Sequence, residues 1–324
     1  MELSNKKTVI LDWATVSNND ISPGEIFSQG ENIFFDLTPP ELTIERINDS
    51  SIVLCNKVLI TEEVMKACTN LKYIGLFATG CNNIDLKAAD KYGITVCNAG
   101  GYSTNAVAQH VFAMILEHYS KVSLYSKAVS EGEWIKSPFF SMFSYPMFEL
   151  AGKTIAIVGY GTIGKAVAKI ASAFEMNVII STRTQPENCP YESVSIDDAF
   201  RRADIITFHC PLTEQTRGLI NAERLSLMKP DAFLVNTSRG PVADEKALAD
   251  ALISNKIAGA ATDVLETEPM RPDSPLLGCR NCIITPHVAW APLETRKRLI
   301  GIVNDNLKAF LNGTPQNTVN LRKS

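Results

Sequence analysis

Between Thr154 and Gly164 the chain runs from a short apolar strand pattern, Thr154-Ile-Ala-Ile-Val158, straight into Gly159-Tyr160-Gly161-Thr162-Ile163-Gly164. The alanine-rich stretch Lys165 to Phe174 that follows reads as a helix. A G-x-G-x-x-G alone marks only a tight turn. Set between a strand and a helix, with a further strand pattern at Val178 to Ser181, it predicts a dinucleotide site. The first glycine allows the turn, the second lets the backbone approach a pyrophosphate, and the third brings helix against strand, with the phosphates at the helix N-terminus.

That unit is one of a series. Apolar, β-rich runs at Thr8 to Leu11, Ile52 to Leu54, Tyr73 to Phe77 and Ile94 to Cys97 alternate with helical patterns. Six more begin at Thr154: Thr154 to Val158, Val178 to Ser181, Ile205 to Phe208, Ala232 to Val235, Gly259 to Thr262 and Ile283 to Thr285. The alternation predicts an α/β chain with parallel sheets, the later six strands being what a doubly wound nucleotide domain needs. A length of 324 residues suits about two domains at roughly 150 residues each. Between the two sets, Thr104 to Ser130 is mostly helical. Glu131 to Glu149, where Pro138, Pro146 and four Phe break the periodicity, reads as a loop, and a domain boundary is expected in this region. Leu293, Leu299, Ile300, Val303, Leu307 and Phe310 fall at helical spacing, so Pro292 to Leu311 is expected as an amphipathic helix. Asn317 to Ser324 reads as a loosely held terminus.

With 31 basic against 35 acidic residues the formal charge is -4, too small a field to draw the chain to nucleic acid or an anionic membrane. No run approaches the roughly 18 apolar residues of a membrane span. Asp12, Asn18, Asn19 and Asp20 interrupt the start of the chain, which does not read as a signal peptide, so a cytoplasmic location is the expectation. The eight cysteines are scattered and are expected as free structural thiols. Cys279 and Cys282 have C-x-x-C spacing but no second ligand pair, so no metal is expected.

A site selective for NAD places Asp or Glu at the end of the second strand, on the ribose hydroxyls. This chain has Ser181-Thr182-Arg183-Thr184 there. Hydroxyls and a guanidinium hold a ribose phosphate that a carboxylate repels, so NADP(H) is favoured. NAD(H) is the alternative, with Arg183 stacked on adenine or turned to solvent. Beyond the glycine loop, Arg239, Glu268 and His287 each follow a strand-like run, and strand ends of a doubly wound sheet face the ligand crevice. Singly, each has a bland reading as surface charge, turn carboxylate or strand cap. Together they suit a reductase: Arg239 binds a carboxylate or polarises a carbonyl, His287 exchanges a proton, and Glu268 orients the imidazole and favours its charged form. Asp12 and the other scattered acids are assigned to the surface.

These residues resemble the D-isomer-specific 2-hydroxy-acid dehydrogenases over nearly the whole chain. The matching stretches are Val158-Gly-Tyr-Gly-Thr-Ile-Gly164, His209-Cys-Pro-Leu-Thr213, Asn236-Thr-Ser-Arg-Gly240, Asp263-Val-Leu-Glu-Thr-Glu-Pro269 and Thr285-Pro-His287. The resemblance implies catalytic roles for Arg239, Glu268 and His287. Glu266 competes with Glu268, but only the Glu directly before Pro fits the motif. It further implies that Cys210, Pro211, Thr216, Thr237 and Ser238 join the glycine loop in binding the cofactor, and that Asp263 lies near the nicotinamide. In the loop Ala78-Thr-Gly-Cys-Asn-Asn-Ile-Asp85, backbone N–H groups of Thr79, Gly80 and Cys81 would hold the substrate carboxylate. The implied fold is a Rossmann nucleotide domain, residues 103–292, inserted into a smaller flavodoxin-like substrate domain, residues 1–102 and 293–324. The implied active site lies in the cleft between them, and the assembly is a homodimer in contact along the stretch from Thr104 to Phe148.

Ala78-Thr-Gly80, Tyr102-Ser-Thr104 and His287-Val-Ala-Trp-Ala291 look like the glycerate dehydrogenase or hydroxypyruvate reductase subgroup, with Trp290 as a rigid pocket wall suited to a small 2-oxo acid. Phe139, Phe140 and Phe143 depart from that subgroup and leave open a pocket for bulkier acids such as phenylpyruvate, and pyruvate is another alternative. Glu268 argues against formate dehydrogenase, which exchanges no proton. The short stretch after His287 argues against the added regulatory domain of many phosphoglycerate dehydrogenases. A non-catalytic nucleotide-sensing scaffold is the reading from another class.

Overall fold

The computed structural model describes residues 7–22, 31–184 and 187–320. The chain divides into two units, Met1–Ser103 with Ala291–Ser324, and Thr104–Trp290. In the first, β1 (Thr8–Ile10), β2 (Asn32–Phe34), β3 (Ile52–Cys55), β4 (Tyr73–Leu76) and β5 (Thr95–Cys97) form one sheet in the order β2-β1-β3-β4-β5. This is the flavodoxin-like order, and its ladders are all parallel. Crossovers run through α1 (Thr43–Ile47), α2 (Glu62–Ala67) and α3 (Leu86–Tyr92). Thr61 and Asp85 start the last two by accepting the N–H of Val64 and Ala88, satisfying donors that no helical carbonyl reaches. β3 and β4 are buried at every residue, as strands covered on both faces must be, and this is why they read as unbroken apolar runs.

Two expectations need correction in this unit. Asp12 is not a surface acid: it is 2% exposed. Its carboxylate accepts the N–H groups of Asn56 (2.8 Å), Lys57 (2.6 Å) and Val58 (3.2 Å), fixing the turn after β3. Burial raises its pKa, against the pull of those three donors. Nor is the chain loose at 317–320. Asn98 N–H donates to the Asn317 carbonyl (3.1 Å) and Val319 N–H to that of Val96 (2.9 Å). The buried Asn320 amide accepts from Val96 N–H and donates to the Ile94 carbonyl, both at 2.8 Å. Residues 321–324 lie outside the described residues.

The second unit opens with α4 (Thr104–Ser120) and α5 (Val122–Ser130), and 131–149 is a loop with one 3-10 turn at Trp134–Lys136. Its sheet contains β6 (Thr154–Val158), β7 (Asn177–Ser181), β8 (Glu192–Ser193), β9 (Ile205–Phe208), β10 (Phe233–Asn236), β11 (Gly259–Thr262) and β12 (Cys282–Ile284). The order is β12-β11-β10-β9-β6-β7-β8, with parallel ladders. Between the strands lie α6 (Thr162–Ala173), α7 (Ile196–Arg202), α8 (Ala222–Leu227) and α9 (Glu245–Ile253).

Alternation along β6 divides the core. Ile155 and Ile157 meet Val107, Val111 and Ile115 of α4 and Val167 and Ala171 of α6. Ala156 and Val158 face the opposite layer, with Phe200 of α7, Leu225 of α8 and Leu248 and Leu252 of α9. Each large apolar side chain so buried contributes about 1.5–3 kcal/mol. The strand order reverses at β6, flanked by β7 and β9, and ligands of such sheets bind outside the carboxyl ends of the strands at that point. The last helix, α10 (Leu293–Leu311), matches the amphipathic pattern and joins the first unit, where Phe310 packs on Tyr73 at 4.6 Å between ring centroids.

Candidate active site

At the end of β6, Gly159 N–H donates to the Ser181 carbonyl at 2.8 Å, tying the glycine loop to the end of β7. Gly159 has φ +93°, and a Cβ there would lie 2.8 Å from the His209 carbonyl and the Cys210 nitrogen. At Gly164 a Cβ would lie 2.2 Å from the Gly159 carbonyl oxygen. Both positions are therefore closed to side chains. At Gly161 a Cβ would meet nothing within 4 Å, so the backbone there is open to an approaching group beside the N-terminus of α6, with Tyr160, Thr162 and Ile163 around it. Ser181 is buried, Thr182 half-buried and Arg183 exposed. After β9, Cys210 and Pro211 lead into a turn closed by the Thr216 hydroxyl, which donates to the Pro211 carbonyl at 2.7 Å. After β10 the Thr237 hydroxyl is buried without a partner among the described residues.

The turn carrying Arg239 is built by Asn236. Its side-chain oxygen accepts the N–H (3.0 Å) and hydroxyl (2.8 Å) of Ser238, and its amide donates to the Arg239 carbonyl at 3.0 Å. The Arg239 guanidinium donates to the Ser238 carbonyl at 2.7 Å. Gly240, next along, packs directly on the backbone of Leu265, where a Cβ would lie 1.9 Å from the Leu265 carbonyl. The end of β10 is thereby pressed against the loop that carries Glu268. Within that loop one Glu268 carboxylate oxygen accepts Leu265 N–H at 2.9 Å, and the other lies 2.6 Å from His287 Nδ1. Glu266 is exposed, and its N–H donates to Glu245, so of the two rivals Glu268 is the one paired with the histidine.

His287 has φ +56°. A non-glycine residue in the left-handed region costs about 1–3 kcal/mol and persists only where the surroundings hold it. Asp263, 2% exposed and expected beside the nicotinamide, has both carboxylate oxygens on the 285–289 segment. One accepts the Thr285 hydroxyl (2.6 Å) and Val288 N–H (2.8 Å), the other Ala289 N–H (2.9 Å). His287 N–H donates to the Thr285 carbonyl at 3.0 Å, and Trp290 follows half-buried. Two other histidines are set apart by burial, which lowers the pKa of His118, stacked 4.0 Å from the Phe233 ring, to about 4 and that of His209 to about 3. Neither holds a proton near neutrality.

In the first unit the loop after β4 begins with buried Ala78. The Thr79 hydroxyl donates to the Ala99 carbonyl at 2.8 Å, and the Asn98 amide donates to the Thr79 carbonyl at 2.6 Å. The backbone N–H groups of Thr79, Gly80 and Cys81 have no partner among the described residues, which leaves them available to an anion.

Residues 112–289 match the model of the D-isomer specific 2-hydroxyacid dehydrogenase NAD binding domain. A hydroxypyruvate reductase of Blautia hydrogenotrophica is 42% identical over 97% of this chain and 99% of its own length. The chain belongs to the D-isomer-specific 2-hydroxyacid dehydrogenases. A glycerate dehydrogenase of Methylorubrum extorquens is 38% identical over 86% of this chain and 88% of its own. A solved NADPH-dependent glyoxylate/hydroxypyruvate reductase of Sinorhizobium meliloti, 27% identical, superposes with a TM-score of 0.83, covering 97% of this dehydrogenase and 98% of that chain. The cofactor of this dehydrogenase is a nicotinamide dinucleotide, and its residues fit one: Gly161 leaves the helix N-terminus open, and the orphaned Thr237 hydroxyl needs an outside partner.

Two roles in the site escape a reading of motifs. Asn236 opens one of the matching stretches, but its turn-building role has only a faint signal, an Asn two residues before Ser, which is the spacing of a side-chain-built turn. His110, whose Nε2 lies 3.0 Å from the Thr285 hydroxyl, has none, because the two are 175 residues apart.

Proposed function

We propose that this dehydrogenase reduces a small 2-oxo acid, hydroxypyruvate or glyoxylate, to the D-2-hydroxy acid, with NADP(H) favoured over NAD(H). The reading is carried by the 2.6 Å pairing of His287 Nδ1 with Glu268. With Nδ1–H given to the carboxylate, which fixes the ring, Nε2 is left to deliver a proton to the substrate oxygen. Arg239 binds the substrate's carboxylate and polarises its carbonyl. Thr79, Gly80 and Cys81 are proposed as further carboxylate donors, and Trp290 as the wall that limits substrate size. When bound, the reduced nicotinamide supplies hydride to C2. Donors placed in advance meet the developing alkoxide charge without rearranging. The preference for NADP(H) is supported by Ser181, Thr182 and the exposed Arg183, with no carboxylate at the end of β7.

The enzyme is proposed to act as a homodimer in the cytoplasm, where eight free thiols are stable. Support for the dimer comes from residues 122–148, where Ile135, Phe139, Phe140 and Phe143 are 88%, 74%, 91% and 84% exposed.

Steady-state oxidation of NADPH and, separately, NADH with hydroxypyruvate, glyoxylate, pyruvate and phenylpyruvate tests the reading. Fast turnover of hydroxypyruvate or glyoxylate with NADPH is expected. Preference for NADH removes the argument from Arg183, and preference for phenylpyruvate removes the small pocket. No turnover with any pair leaves a nucleotide-sensing scaffold.

A further inference from the structure

His110, on α4, stands against the segment that carries His287 and has no part in the chemistry proposed above. We infer that His110 and Thr285 form a hydrogen-bond relay that positions His287, an inference that rests on His287 being the proton donor.

The direction of the relay follows from donor and acceptor inventory. An ionised carboxylate only accepts, and Asp263 already takes the N–H groups of Val288 and Ala289. The single hydroxyl hydrogen of Thr285, 2.6 Å from Asp263 Oδ1, is therefore given to Asp263. Thr285 Oγ1 then offers only lone pairs to His110 Nε2 at 3.0 Å, so that nitrogen carries a hydrogen. The relay runs from His110 N–H to the Thr285 hydroxyl to Asp263, and His110 donates whether its ring is neutral or charged.

Its consequence lies two residues on. Thr285 accepts His287 N–H through its carbonyl, while Asp263 holds Val288 and Ala289 on the other side. His287 is thereby pinned from both flanks at φ +56°, a conformation its own side chain disfavours. With the relay broken, the segment relaxes and the imidazole turns away from Glu268. His110 is a positioning residue, since it acts through Thr285 and Asp263.

The test uses the full-length enzyme with hydroxypyruvate and NADPH, or NADH if that is the cofactor it turns over. Thr285→Val and His110→Phe each lower kcat by about tenfold or more, the scale set by a small misplacement of a catalytic group, with KM for the cofactor unchanged. Thr285→Ser and His110→Gln, which keep the donors, recover most of the loss. The double variant Thr285→Val/His110→Phe is no slower than the slower single one, because both break the same relay. Unchanged kcat in the two single variants, multiplying losses in the double, or no recovery with Ser and Gln overturns the inference. His287→Ala is run alongside. If it turns over at the wild-type rate, the proton-donor reading itself fails; if it is inactive while the relay variants run normally, the relay alone fails.

Discussion

Arg183 carries the proposed preference for NADP(H), as the cation directly after β7, on an exposed stretch that the Gly159–Ser181 hydrogen bond ties to the glycine loop. A charge-assisted hydrogen bond to phosphate contributes about 1.5–3 kcal/mol, so Arg183→Ala raises KM for NADPH by roughly ten- to a hundredfold and leaves KM for NADH within about twofold. Equal losses with both cofactors would show that Arg183 does not touch the ribose phosphate. At this scale, legibility depends on distance along the chain. Arg239, Glu268 and His287 stand out in the sequence because each sits just beyond a strand pattern. Asp12 and His110 do not, since the groups they serve lie 44 to 46 and 175 residues away, and their burial is decided by the packing of distant segments.

Among the elements, the contact between the end of β10 and the 265–268 loop couples two site residues through bare backbone. A side chain at Gly240 has nowhere to go, with the Leu265 carbonyl 1.9 Å from where its Cβ would sit. Gly240→Ala therefore pushes the loop back and moves Glu268 with it. Overpacking of this kind costs about 1–3 kcal/mol, read as a lower thermal midpoint, and kcat falls further than stability alone explains while cofactor KM holds. A variant with wild-type midpoint and kcat would show that the loop yields without disturbing Glu268. The elements themselves were largely legible, as every apolar run named in the sequence became a strand within a residue or two. The two that escaped, β2 and β8, lie at sheet edges. β8 is Glu192-Ser193, and β2 leaves Phe34 exposed. An edge strand with one neighbour can do without a continuous apolar run, as these two do, although β5 and β12 at the opposite edges keep one.

For the whole molecule, the alternation of strand and helix predicts parallel sheets, and the nucleotide site follows from the point where the observed order reverses. The loop at 131–149 is different in kind, because three of its phenylalanines stay exposed although Tyr145 and Phe148 are held by Tyr125 and Tyr119. Phe139, Phe140 and Phe143 are 74%, 91% and 84% exposed, apolar surface of the kind found at interaction sites, and the proposed isologous contact would place the same patch on both copies. The wild-type enzyme is therefore expected to have twice the 35.5 kDa chain mass by light scattering. Phe140→Asp combined with Phe143→Asp buries two carboxylates against apolar surface in the dimer, and burying an unpaired charge is strongly unfavourable, so this variant runs at the mass of one chain. Both side chains project into solvent in the single chain, so the thermal midpoint of the isolated monomer should not fall further on adding a third substitution, Phe139→Ser. A wild-type monomer, or a double variant that stays dimeric, would remove this loop from the interface.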